Sequence, residues 1–308
     1  MRWFHHIVVV AAFPLALTFW PAATYLLWYA YRPAVVFALL AVIWAAYGPH
    51  GPFLRAASRT AFRHTAAWLP SVRYIGDGPP VPTDTRERTI CLLFPHGMVS
   101  SEQCAVMADV VRGRPDPSVH TLFVDRLLYR WMTPLVAAVR LLGGSARVVP
   151  LVHASVQRSL TTAPGGCTVF VMPGGFVEAV GYSDACQVLY VRTVSYWLQQ
   201  CRRHGYRLCV YHAYNGSRAV RQHGFAMGIR TRVAERFHLP LVLPTGFRDV
   251  PEVVVRAWAY PVTGLPVCAT TVVGDLLRYA RTDRTHPLYP SECTGTTTRV
   301  AWRVAGGQ

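Results

Sequence analysis

Short apolar runs alternate with helix-like segments through the middle of this chain, and that alternation restricts its fold more than any other feature. Runs at Thr89–Phe94, 167–172, 207–212, 240–245 and 252–262 are each rich in valine, leucine or aromatics and are bounded by breakers. Helices are expected after Ser100, where Ser100 and Gln103 have capping-box spacing, and over 125–142, 190–203 and 218–237, with Gly205 as the stop of the third. Strands that are apolar along their whole length bury both faces, and interleaved helices supply the cover. The expected fold class is therefore α/β, a mainly parallel sheet flanked by helices.

The chain begins differently. Residues 7–31 hold twenty-five positions without a formal charge, more than the about 20 needed to span a bilayer. Arg32 and Pro33 interrupt this run, and residues 34–47 resume it. A hairpin that enters, turns at Arg32-Pro33 and returns leaves both ends on one face, and Arg55, Arg59, Arg63 and Arg73 make that face cytoplasmic by the positive-inside rule. The run is too long for a signal peptide, whose apolar region is about 7 to 15 residues. The expected organisation is a membrane-embedded helical hairpin at 1–50, a basic juxtamembrane segment and linker at 51–88, and a catalytic domain at 89–308.

Composition narrows the partners. Only 15% of residues are charged and 52% are hydrophobic, against the usual about 25% charged, which suits a membrane-associated protein. The net charge is +16 and all 31 basic residues are arginine, which fits an anionic membrane surface, a phosphorylated cofactor or nucleic acid. No recognition motif or aromatic and basic ladder points to nucleic acid, so none is expected as a partner. The 8 cysteines form no CxxC pair and read as small buried thiols in a reducing compartment. No His/Cys/Asp cluster has metal-ligand spacing, so no metal is expected.

Two strand-to-helix turns carry the candidate chemistry. In the first, Phe94, Pro95, His96 and Gly97 close the run that starts at Thr89. Pro95 fixes the backbone before His96 and Gly97 opens space after it, which suits a general base at neutral pH. In the second, the 167–172 run enters Pro173-Gly174-Gly175, with Glu178 three residues on. Backbone N–H groups at Gly174, Gly175 or Gly97 are candidate oxyanion donors, and a carboxylate such as Glu178 can fix an imidazole's tautomer and favour its charged form. A base, an oxyanion site and an orienting acid are what acyl transfer to a hydroxyl requires.

These motifs resemble those of the type-2 diacylglycerol acyltransferase family, which includes monoacylglycerol and wax-alcohol acyltransferases. Phe94-Pro95-His96-Gly97 is similar to the family's His-Pro-His-Gly, with phenylalanine at the first position, so His96 is the histidine left to act as base. Pro134, Gly143 and Gly144 match a second family stretch, Gly174, Gly175 and Glu178 its glycine-glycine-x-x-glutamate, and Arg203, His204, Gly205 and Tyr214 a fourth. The resemblance covers about residues 7 to 265. It implies a glycerol-phosphate acyltransferase-like core behind an N-terminal membrane hairpin, acyl-coenzyme A as co-substrate with no permanently bound cofactor, and a neutral lipid alcohol as acceptor. Diacylglycerol is the first acceptor to consider and monoacylglycerol, wax or sterol alcohols the next. It implies residence in the endoplasmic reticulum membrane or at the lipid-droplet surface, with the catalytic domain cytosolic, and leaves a homo-oligomer open. Secondary substrate-binding candidates are Phe94, Pro95, Arg126, Arg130, Arg203, His204 and Tyr214. Two rivals stand beside this reading. One is a glycerol-phosphate type acyltransferase, whose aspartate, separated from the histidine by four residues, would fall here at Ser101, with Glu102 next; the other is an inactive, membrane-tethered lipid-binding relative.

Overall fold

The computed structural model describes residues 70–75, 87–95, 101–112, 120–126, 129, 147–181, 186–214, 220–237, 241–242, 244–247, 252–282 and 297–301. The expected hairpin, His96, Gly97, Arg130 and most of the expected 125–142 helix lie outside them. Among the described residues, no helix is long and apolar enough to cross a membrane.

In chain order the elements are β1 (Ser71–Ile75), β2 (Thr89–Phe94), α1 (Ser101–Arg112), β3 (His120–Val124), β4 (Arg147–Pro150), α2 (His153–Thr162), β5 (Thr168–Val171), α3 (Gly175–Gly181), β6 (Cys186–Tyr190), α4 (Val194–His204), β7 (Arg207–Ala213), β8 (Val220–Gln222), α5 (Met227–Phe237), β9 (Pro244–Phe247), β10 (Glu252–Tyr260), α6 (Ala269–Thr282) and β11 (Thr297–Ala301). Seven strands form one sheet in the order β1-β10-β7-β2-β5-β3-β4. The five from β7 to β4 are mutually parallel, while β10 runs antiparallel to β7 and carries β1 parallel to itself. The mainly parallel α/β sheet read from the apolar runs is thus present, with helices on both of its faces.

Strand alternation divides the core. Ile90, Leu92 and Phe94 of β2 join Val169, Val171, Leu208 and Val210 on the face covered by α2, α4 and α6. Cys91 and Leu93 join Phe170, Cys209 and Tyr211 on the face covered by α1 through Val106, Val110 and Val111. Every residue of β2 is buried, which is why it reads as a continuous apolar run rather than an alternating one. Four of the described cysteines, Cys91, Cys167, Cys201 and Cys209, are buried, while Cys268 is exposed.

Some expected boundaries move. The 190–203 helix starts at Val194, because 186–190 is a strand paired along its length with β11. It stops where expected: Gly205 takes φ +67° and the Tyr206 N–H bonds to Cys201 O at 2.9 Å. The 218–237 helix is instead strand β8, a turn and then α5, since Val220–Gln222 pairs with β9. The expected 240–245 strand is found at Pro244–Phe247. Ser71–Ile75, within the segment read as juxtamembrane and linker, is a strand of the main sheet.

Candidate active site

The site is fixed by a feature of the sheet. β2 and β5 are adjacent and parallel, with Leu92 opposite Val171, so the chain leaves both strands at the same end and at nearly the same height. From β2 it enters α1 on one face; from β5 it passes through α3 and β6 to α4 on the other. Neighbouring parallel strands whose connections cover opposite faces leave a crevice at their carboxyl ends, where ligands of α/β sheets bind. Pro95, where the first turn begins, and the Pro173-Gly174-Gly175 turn therefore flank one crevice. His96 and Gly97, which follow Pro95 in the sequence, lie outside the described residues.

On the β5 side, Gly174 and Glu178 form one unit. The Glu178 side chain folds back over Gly174 so closely that a Cβ on residue 174 would overlap its carboxyl group. Glu178 is buried, and its Oε1 accepts the Tyr190 N–H at 2.7 Å, which ties the first turn of α3 to the end of β6. Gly174 is thus required by close approach. Gly175 is required by conformation, with φ +45° and open space around its would-be Cβ. The Gly175 N–H already bonds to Met172 O at 3.3 Å, whereas the Gly174 carbonyl accepts from Val177 and Glu178 N–H as α3 begins. Of the two expected oxyanion donors on this turn, Gly175 is therefore engaged within the turn itself.

On the β2 side, α1 supplies two polar groups. The Gln103 side-chain amide donates to the Pro95 carbonyl, pinning the residue before His96 to the start of α1. Glu102, fully buried in the first turn of α1, lines a small cavity with Leu93, Phe94, Gln103, Val106, Tyr211 and Ala213. Burial first, and the Glu102 charge second, push the Cys104 thiol up to about 12. A second imidazole lies one strand over: His212, fully buried on β7, is the register partner of Phe94 and packs edge-on against Tyr214 with ring centroids 4.6 Å apart. Sequence reasoning gave Gln103 only a helix-capping role and passed over His212. The available signal was a polar residue inside an otherwise apolar element.

The secondary candidates separate into two groups. Phe94 is a core residue, 1% exposed, and Tyr214 is buried against Ile75 and Val254 with its hydroxyl 3.5 Å from Tyr279 O. Arg126 is exposed just beyond β3; His120 pairs with Thr168, so Arg126 stands at the same sheet end as Gly174. Arg203 and His204 close α4 immediately before β7 begins, and Arg207 pairs with Thr89, the first residue of β2. They therefore stand at the opposite end of the sheet from the crevice, about 20 Å away at strand rise per residue. His204 contacts Gln157 Oε1 at 3.1 Å, and its pKa is lowered first by burial and then by Arg203 and Arg88. Among the described residues no group of His, Cys, Asp or Glu could hold a metal ion.

No protein-family model matches the chain. No curated protein matches it either. Among solved structures it is similar to the 1-acyl-sn-glycerophosphate (LPA) acyltransferase PlsC of Thermotoga maritima, with 11% identity and a TM-score of 0.43 over 90% of this chain and 99% of that one.

Proposed function

We propose that this chain is a membrane-bound O-acyltransferase that moves a fatty acyl group from acyl-coenzyme A to a neutral lipid alcohol, diacylglycerol foremost, to give triacylglycerol. One observation carries the reading: the turn leading to His96 and the turn holding Gly174, Gly175 and Glu178 leave adjacent parallel strands at the same end. In this mechanism His96 removes the proton from the acceptor hydroxyl as its oxygen attacks the thioester carbonyl. The oxyanion that forms is held by backbone N–H groups of Gly97 and Gly174, each such donor contributing about 2.7 to 4 kcal/mol. Collapse of the tetrahedral species breaks the carbon–sulfur bond, and the imidazolium returns its proton to the departing coenzyme A thiolate. Glu178 is a positioning residue, stabilising the imidazolium and holding the 172–175 turn through its bond from Tyr190. Arg126, at the same sheet end, is suited to coenzyme A phosphate, where a guanidinium binds in two-pronged geometry. The apolar 7–31 and 34–47 segments would keep this domain at the cytosolic face of the endoplasmic reticulum or on a lipid droplet, where both long-chain substrates reside.

Glu102 offers a second choice of acid. It is fully buried in the helix that follows His96 and lines the cavity beneath the end of β2. The two carboxylates are separated by experiment below.

The reaction is tested with membranes from cells making the full chain, supplied with labelled oleoyl-coenzyme A and a panel of alcohols. Labelled triacylglycerol should form, and His96→Ala should lower its rate by about 10²- to 10⁴-fold, the span for loss of a general base. Wild-type rates in His96→Ala, or no product with any acceptor, would overturn catalysis and leave a tethered lipid binder. Best use of lysophosphatidate would move the chain to the glycerol-phosphate class.

A further inference from the structure

The turn before α5 is built rigidly around a buried cation, and what it displays is apolar. Arg230 is 4% exposed. Its guanidinium donates to His223 O at 2.6 Å and to Leu241 O at 3.3 Å, drawing the segments before and after α5 to one point. Within the turn the Phe225 N–H bonds to the His223 ring nitrogen at 3.0 Å, and Ala226 is held at φ +50°, a left-handed conformation that disfavours a side chain. A desolvated arginine and a strained alanine both oppose folding, so the surrounding hydrogen bonds and packing must hold the turn in this geometry. That geometry leaves Phe225 70%, Ile229 64% and Leu241 48% exposed.

Charge surrounds the same surface. Ile229, Arg232 and Arg236 lie three and four residues apart on the outward stripe of α5, and all are exposed. Glu235 is the only acid in the helix, against three arginines. An apolar tip beside arginine guanidinia matches the chemistry of a lipid headgroup layer carrying negative charge: rings enter the acyl boundary and arginines meet phosphates. A protein partner would be expected to cover such a tip with no need for neighbouring cations, and the chain as a whole carries +16.

We infer that the 223–229 turn and the outer stripe of α5 form a docking surface for an anionic phospholipid bilayer, separate from the apolar N-terminal segment. The surface is mechanically close to the site, because Ala234 of α5 packs with Phe176 and Val180 of α3, the helix that carries Glu178. The inference stands whether or not the chain transfers acyl groups.

The test uses the full chain reconstituted into phosphatidylcholine vesicles with 30% phosphatidylserine and a nitroxide-labelled lipid as quencher. A small fluorescent amino acid is incorporated singly at 225, 229 or, as a control on the same helix, 235. Quenching at 225 and 229 should exceed that at 235 at least three-fold, and Arg232→Gln with Arg236→Gln should reduce it at least two-fold. Vesicles of phosphatidylcholine alone should give the weaker signal. Equal quenching at the three positions overturns the proposal. So does a blue shift at 225 without lipid quenching, which would mean that protein covers the turn. No enzymatic rate enters this readout, so its failure and that of the acyltransfer reading are told apart.

Discussion

Adding one methyl group at Gly174 should dislodge the candidate acid. A Cβ there lands on the Glu178 carboxyl group, well inside contact distance. The carboxylate must swing away and lose the 2.7 Å bond from the Tyr190 N–H. A hydrogen bond to a charged group contributes about 1.5–3 kcal/mol, and forced repacking costs about 1–3 kcal/mol. Gly174→Ala should therefore cost about 2.5–6 kcal/mol, a large part of the about 5–15 kcal/mol that holds a domain folded. Gly175→Ala is the internal control. Its Cβ meets nothing, so only the φ +45° strain applies, about 1–2 kcal/mol. The decisive comparison is a double-mutant cycle on the detergent-solubilised chain, with urea unfolding followed by tryptophan fluorescence. Once Glu178→Ala has removed the side chain, Gly174→Ala should add less than about 0.5 kcal/mol, giving a coupling of at least about 2 kcal/mol. Strict additivity of the two substitutions would refute the claim that the glycine exists to admit the glutamate.

Which acid supports the imidazole is readable from pH. A carboxylate beside a histidine raises the imidazole pKa, and a base works only when neutral, so removing the true partner moves the rising limb of the rate profile to lower pH, by about 1 unit. Glu178→Gln should show that shift and Glu102→Gln should not; the reverse result would transfer the role to Glu102. At the start of α6, hydrogen bonds from Thr270 and then Thr271 lower the exposed Cys268 thiol to about 7. Iodoacetamide should therefore alkylate it half-maximally near that pH in the folded chain, and Thr270→Ala should move the midpoint up toward the ordinary thiol range. A midpoint unchanged by Thr270→Ala would show that the hydroxyl does not set it.

The parts of the fold legible in the sequence are those whose cause is local. β2 and β5 are apolar on both faces and end at proline and glycine, and Gly205 caps α4 with the left-handed residue such a stop requires. What escaped depends on distant partners. Val220–Gln222 carries helix-compatible residues but is drawn into a ladder with Pro244–Phe247, and Cys186–Tyr190 into one with Thr297–Ala301. β3 opens with His120 and Thr121, polar residues that nonetheless become buried because β4 and β5 enclose them. Chemistry alone suggests that the two glycine-bearing turns work together; that the strands leading into them are neighbours rests on the β2–β5 pairing, which no local signal gives. Arg203 and His204 show the converse: similar residue types in a matching order, at the far end of the sheet.

Position 94 then takes on a definite meaning. Phe94 is 1% exposed, packs in the core cluster with Leu92, Val171 and Val210, and has the fully buried His212 as its register partner on β7. A histidine placed there would lose aromatic packing and bury a polar ring beside another imidazole. Burying a polar group without a partner costs about 1–3 kcal/mol in proteins, and the lost packing adds about 1 kcal/mol or more. Phe94→His should thus destabilise the chain by about 2–4 kcal/mol, with a lower thermal midpoint and no gain in acyl transfer, whereas Phe94→Leu should keep the rate. A Phe94→His variant as stable as the wild type and faster would show that position 94 faces the reacting groups, and that His96 does not work alone.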